Sequence, residues 1–160
     1  ISSTSISALA ASADGGAFVG TQGRVLRLDD GVWSNVRVDP PLWPSELVTL
    51  LQVDWAGQLL MGTDEGRLFQ GSPDQGALRL VPTPSELGQI KAALREPVGL
   101  SLGTTRGLWL QRAGEWILLS GAAGFAPGEV RHLHRDERGV LWGATYGGAS
   151  AMWWTNTSGG

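Results

Sequence analysis

Asp54-Trp55-Ala56-Gly57-Gln58-Leu59-Leu60-Met61-Gly62-Thr63-Asp64-Glu65-Gly66 reads as a tight turn, a short apolar strand and a second glycine turn. The Asp54 carboxylate is placed to accept a backbone N–H across the first reversal, and Gly57 to take the positive φ such a turn needs. Leu59 to Met61 supply the strand, and Gly66 opens the next one. A version of this stretch occurs four times, aligned on Thr21, Thr63, Thr104 and Thr145, so the spacings are 42, 41 and 41 residues. A period of that length is the signature of a repeat architecture and precedes any other structural reading.

Outward from the threonines the register holds. An apolar strand begins 14 or 15 residues earlier, at Ile6, Val48, Ile90 and Val130. The turn position nine residues earlier is Ser12, Asp54, Arg95 and Asp136, so two copies carry the acid. Three residues before the threonine stand Phe18, Leu60, Ser101 and Trp142, large and apolar except in the third copy. Glycine precedes Thr21, Thr63 and Thr104, with Ala144 in the fourth copy. Trp33 and Trp116 each follow a threonine by twelve residues, and Pro44-Ser45-Glu46-Leu47 recurs as Pro84-Ser85-Glu86-Leu87 and decays to Pro127-Gly128-Glu129. The pattern predicts four strands per repeat. In the first they are Ile6–Ala11, Ala17–Thr21, Arg24–Leu28 and Val32–Val38. Repeats run from 6 to 47, 48 to 89, 90 to 129 and 130 to 154, within a single domain. The prolines of 39–47 exclude a central strand there. A helix over 85–95 is excluded because Gly88 interrupts it and the register demands a strand from Ile90. The fourth repeat lacks a fourth strand, a place that Ile1 to Thr4, a second chain or further blades would fill, since an open apolar edge invites pairing.

Composition narrows the function classes. The 160 residues are 42% hydrophobic with eight Trp, as in a folded protein, and the 24 glycines fall at repeat positions, where they mark turns. A net charge of −3, with Lys91 the one lysine, argues against nucleic acid, which needs a concentrated basic face. The absence of cysteine excludes disulfides, thiolate zinc sites and a cysteine nucleophile. No apolar run is long enough for membrane insertion within this chain, and no signal peptide is visible. The first residue is Ile1 and not Met, so the sequence is expected to be part of a longer or processed chain.

Asp54 with Gly57, Gly62, Thr63 and Gly66, then Gly103, Thr104, Gly107, Leu108 and Trp109, and Asp136 with Gly139, Leu141, Trp142 and Thr145 follow the pattern Asp-x-x-Gly-x-Leu-Trp-x-Gly-Thr-x-x-Gly-Leu. That pattern resembles the β-propeller repeats of two-component regulators, found in the sensor regions of bacterial hybrid histidine kinases, and it covers nearly the whole chain. The resemblance implies an all-β fold of four-stranded antiparallel blades, either four-bladed or part of a larger propeller. It also implies an extracytoplasmic, periplasmic sensor, with carbohydrate sensing in some members. In such a fold Phe18, Leu60 and Trp142 are expected to fill the gaps between blades, and the glycine beside each threonine to permit close backbone approach.

Candidate chemistry is sparse, and no cofactor, metal or catalytic residue is expected. His132 and His134 share one strand face, with Arg131 beside them, as a small ligand site or as polar residues near solvent. Two histidines without a third His or Cys are too few for zinc. Arg131, Arg135 and Arg138 read as an anion site or as a solvated face paired with Asp136 and Glu137. Asp29-Asp30, Asp64-Glu65 and Asp136-Glu137 are neighbours at turns, which implies no acid and base geometry for glycoside hydrolysis. No Gly-x-Ser-x-Gly elbow or phosphate loop appears. Trp33, Trp109 and Trp116 are expected to pack within or between blades. Trp43 and Trp55 lie off the repeating apolar pattern, in a connector and a turn, where an indole serves recognition or local packing. The leading expectation is a non-enzymatic module that recognises a carbohydrate or protein partner. The second is a self-assembling unit, a homo-oligomer that pairs its open fourth blade with another chain.

Overall fold

In the computed structural model, which describes residues 5–12, 14–54, 56–119, 128–145 and 148–153, every regular element is a strand. Strands appear where the repeat places short apolar runs between glycine turns, and each run folds back on its predecessor. The chain divides into two compact units, Ile1–Thr83 and Pro84–Gly160.

The first unit opens with a four-stranded antiparallel meander, β1 (Ala8–Ala11), β2 (Ala17–Gly20), β3 (Val25–Asp29) and β4 (Val32–Asn35). The predicted fourth strand is cut short at Asn35. Val36 turns inward into the core, its N–H bonded to Val25 O at 2.9 Å, and β5 (Val38–Asp39) pairs in parallel with the outer strand of the next sheet. That sheet adds β6 (Val48–Val53), β7 (Leu59–Thr63), β8 (Leu68–Gly71) and β9 (Leu78–Val81), in the order β5-β9-β8-β7-β6. Phe18, Val25, Val36, Val48, Leu51, Leu59, Met61, Phe69 and Leu78 form the core between the two sheets. Each such side chain contributes about 1.5–3 kcal/mol on full burial.

The second unit repeats the plan with β10 (Ile90–Glu96), β11 (Gly99–Thr104), β12 (Gly107–Arg112) and β13 (Glu115–Leu119). β14 (Val130–Arg135), β15 (Val140–Thr145) and β16 (Gly148–Trp153) then form a three-stranded sheet. Leu108, Leu110, Val130 and Leu141 pack between them. The expected short fourth sheet is present among the described residues, while Ile1 to Thr4, one of the three candidates to complete it, lie outside them.

Two local rules make the repeat intelligible. Within the second sheet the strand β7 is buried at every residue, whereas the outer strand β4 of the first is exposed throughout. The first strand carries a bulge after its opening residue in three sheets, between Val48 and Leu50, Ile90 and Ala92, and Val130 and His132. A bulge adds one unpaired residue and increases the local twist. It leaves Arg131 outside the regular alternation, so Arg131 and His132 are both exposed.

Two tryptophans depart from expectation. Trp142 is 40% exposed and does not fill a gap as Phe18 does, its indole N–H donating to Asp136 Oδ2 at 2.9 Å, while Leu60 is buried as expected. Trp33, on the outer strand β4, is 43% exposed, whereas Trp109 is buried on β12 and Trp116 half-buried on β13. Ser101, the small residue at the Phe18 position, is fully buried, and its hydroxyl has no hydrogen-bond partner among the described residues. Ser101→Ala should therefore raise stability, by up to about 1–3 kcal/mol, the usual cost of an orphaned buried polar group. Denaturant midpoints check this, and a lower midpoint contradicts it.

Candidate functional site

The register threonines are turn clamps. Thr21 N–H donates to Arg24 O at 3.0 Å and its hydroxyl to the same oxygen at 3.3 Å. Thr63 Oγ1 accepts the N–H of Glu65 and Arg67 at 3.2 and 3.3 Å. Thr104 donates to Gly107 O at 3.1 Å and accepts Arg106 N–H at 3.0 Å. Each fixes the hairpin between the second and third strands, so the residue leading into the third strand is held in place: Arg24 or Arg67 just before it, or Gly107 at its start.

The connector into the second sheet lies between two of these hairpins. Gly23 N–H donates to Glu46 O at 2.6 Å, and Val48 N–H to Thr21 O at 3.2 Å. From the other side Leu47 N–H donates to Asp64 Oδ1, and Asp64 N–H returns to Leu47 O, both at 2.9 Å. Gly23 has φ +77°, and a Cβ there would lie 2.9 Å from Pro44 O, so only glycine lets connector and hairpin close up. Gln89 and Thr105 repeat the reciprocal pair in the second unit, at 3.0 Å each way.

At the centre of the strap stands Glu46, fully buried. Its Oε2 accepts Thr63 Oγ1 at 2.7 Å and Arg67 Nε at 2.9 Å, while Oε1 accepts Arg67 Nη2 and, at 3.0 Å, Trp43 N–H. Arg67 Nη2 also donates to Pro41 O at 3.1 Å. Burial alone would raise the Glu46 carboxyl, but the donors of Arg67, Thr63 and Trp43 outweigh it and hold its pKa below the ordinary value. The Arg67 guanidinium lies 3.9 Å from the Trp43 ring centroid, a cation–π stack. One face of Trp43 thus serves local packing, while the residue stays 49% exposed. Trp55, its expected counterpart, lies outside the described residues.

In the second unit His132 and His134 pair in register with Ala144 and Trp142 and stand exposed on one face, as their spacing required. Among the described residues no three His, Cys, Asp or Glu gather to hold a metal. Arg131 pairs with Glu129 at 3.2 Å, Arg138 with Asp136 at 3.9 Å, and Arg135 turns away to a close ion pair with Glu96. The acids take up turn roles, Asp54 Oδ1 accepting Ala56 and Gln58 N–H at 2.9 Å and Asp136 Oδ1 accepting Arg138 and Val140 N–H at 2.9 and 3.0 Å. Glu46, Arg67 and Arg24 were missed as site residues. The recurring Pro-Ser-Glu-Leu connector signals Glu46, whereas Arg24 and Arg67 lie outside it, in the hairpins after Thr21 and Thr63.

Antiparallel meanders that follow one another sheet by sheet along the chain are the build of propeller blades. No family model and no curated protein matches the chain. Among solved structures it resembles the extracellular domain of the putative hybrid two component system BT4673 from B. thetaiotaomicron, a β-propeller, with a TM-score of 0.77 at 20% identity. That match covers 95% of this chain and 22% of the other. The fold is a β-propeller. This propeller also matches the computationally designed Ika4 protein, with a TM-score of 0.72 at 19% identity over 96% of this chain and 93% of that one. A streptogramin B lyase matches with a TM-score of 0.68 at 15% identity, over 94% of this chain and 55% of the lyase. The propeller therefore spans about a fifth of the BT4673 chain, whose two component setting is the one the sequence resemblance implied.

Proposed function

We propose that this propeller is a non-catalytic recognition module, the sensory part of a bacterial two-component signalling protein outside the cytoplasm. Its partner is a carbohydrate or a protein, taken up at the connector strap. The observation that carries this is Trp43, a half-exposed indole fixed from below by Arg67 and from its own backbone by Glu46. A rigid aromatic face on a connector anchored by two hairpins is the kind of surface by which a scaffold recognises a ligand. The likeness to an extracellular two component domain supports the setting, and the fit to a lyase is one of fold alone.

A glycan array and pull-down against periplasmic extract test the reading. Trp43→Ala should weaken a retained partner by at least about tenfold, the cost of losing a central aromatic anchor. Binding unchanged in Trp43→Ala would remove the strap from the site.

A further inference from the structure

Arg24 and Arg67 occupy the same place, the residue whose carbonyl is clamped by the hairpin threonine. At Arg67 that place holds a buried carboxylate, that of Glu46. At Gly107 the cation is missing, and the matching connector acid, Glu86, is exposed and bonds only its neighbour Ser85, at 2.8 Å. Of these three repeats the second alone has both groups in contact. The first repeat has the cation without the acid: one repeat before Glu46 the sequence carries Thr4. Arg24 is exposed, and its guanidinium makes no ion pair or hydrogen bond among the described residues.

Beside Arg24 opens a cleft of about 240 Å³, lined also by Val25, Asn35, Val36, Pro41 and Leu42. Val25 and Val36 are buried and form an apolar floor, and Arg24 and Asn35 supply a polar rim. Apolar walls with a few convergent polar groups are the usual makeup of a small-molecule site, and the volume falls just under the common range of about 300–1,000 Å³.

From this we infer that the cleft binds a small carboxylate with an apolar body, its carboxyl group on Arg24 and its body on Val25, Val36 and Leu42. Arg24 supplies a charge-assisted, two-pronged contact of the kind guanidinium makes with carboxylate. The inference rests on the recognition reading above but places the ligand beside the strap and not on Trp43, so each can fail alone.

Benzoate and hexanoate, titrated against the intact chain with benzamide and hexanamide as uncharged counterparts, test it by backbone amide NMR. The acids should saturate with a Kd near or below about 1 mM, shifting Gly23, Arg24, Asn35 and Val36, while the amides bind at least about tenfold more weakly. Arg24→Gln should reduce acid affinity by about tenfold or more, while Arg79→Gln, at an exposed pair with Asp39, should not. Amides binding as well as acids, shifts mapping elsewhere, equal loss in both variants or no saturation would each overturn it. Loss of partner binding in Trp43→Ala with no acid binding leaves the recognition reading standing and this one refuted.

Discussion

Glu46→Ala is expected to lower stability by about 3–5 kcal/mol, because it leaves the Arg67 guanidinium, 14% exposed, without its counter-charge. For a chain of this size that corresponds to a melting temperature lower by roughly 6–20 °C. Arg67→Ala should cost as much, since it strands a fully buried carboxylate, and the double variant should cost less than the sum. A pH series separates charge from shape. The folded Glu46 carboxyl titrates below its ordinary value of about 4.5, so its contribution is present in full above that pH. It is lost as pH falls through the lower folded value. Wild type should therefore show an acid-side decline in melting temperature that Glu46→Gln lacks. Equal slopes in the two proteins would show that the pair contributes packing and no charge-dependent stability.

The second large effect lies at the glycine beside the threonine. A Cβ on Gly20 would sit 2.4 Å from Val48 Cγ1 and 2.7 Å from its Cβ, and one on Gly103 would sit 2.7 Å from Val130 O. In both places the glycine meets the first residue of the next blade, so any side chain forces the sheets apart. Gly20→Ala and Gly103→Ala are each expected to cost about 1–3 kcal/mol, and valine more. The two should respond differently to relief. Val48→Ala removes the nearest atom met at Gly20, Cγ1 at 2.4 Å, and should recover more of the loss in the double variant than Val130→Ala, which removes Cγ1 at 2.9 Å but leaves the nearer backbone carbonyl at 2.7 Å from Gly103. Equal recovery at both sites, measured by denaturant midpoints, would contradict this geometry.

These glycines, with the threonines and the short apolar runs, are why the fold was legible in the sequence. Both are set by local steric demands that recur with the period, and recurrence separates them from chance. The threonine hydroxyls proved to clamp hairpins, a role that β-propensity alone does not suggest. The bulge after Val48, Ile90 and Val130 shifts the alternation by one residue, so that Val48 and Leu51, and Val130 and Leu133, three apart, face one core. The site was less legible because it is made by departures from the repeat. Trp43 drew notice as an aromatic off the pattern, but its partner Arg67 lies 24 residues on in a different hairpin. Trp142 matched the repeat but stands exposed with its indole N–H on Asp136, a contact between two side chains that the register does not encode.

The crossing of the chain from β4 to β5 has one more consequence. Residues 38 and 39 belong by sequence to the first repeat but complete the second sheet, and Val36, just before them, is buried in the core between the two sheets. A backbone severed at the end of the first period, after Leu47, would keep those two residues on one fragment and the edge they protect on the other. The smallest excisable piece of this end of the chain is thus a pair of periods, and loss or gain of a single one would have to be mended by a new covering for the bared β9.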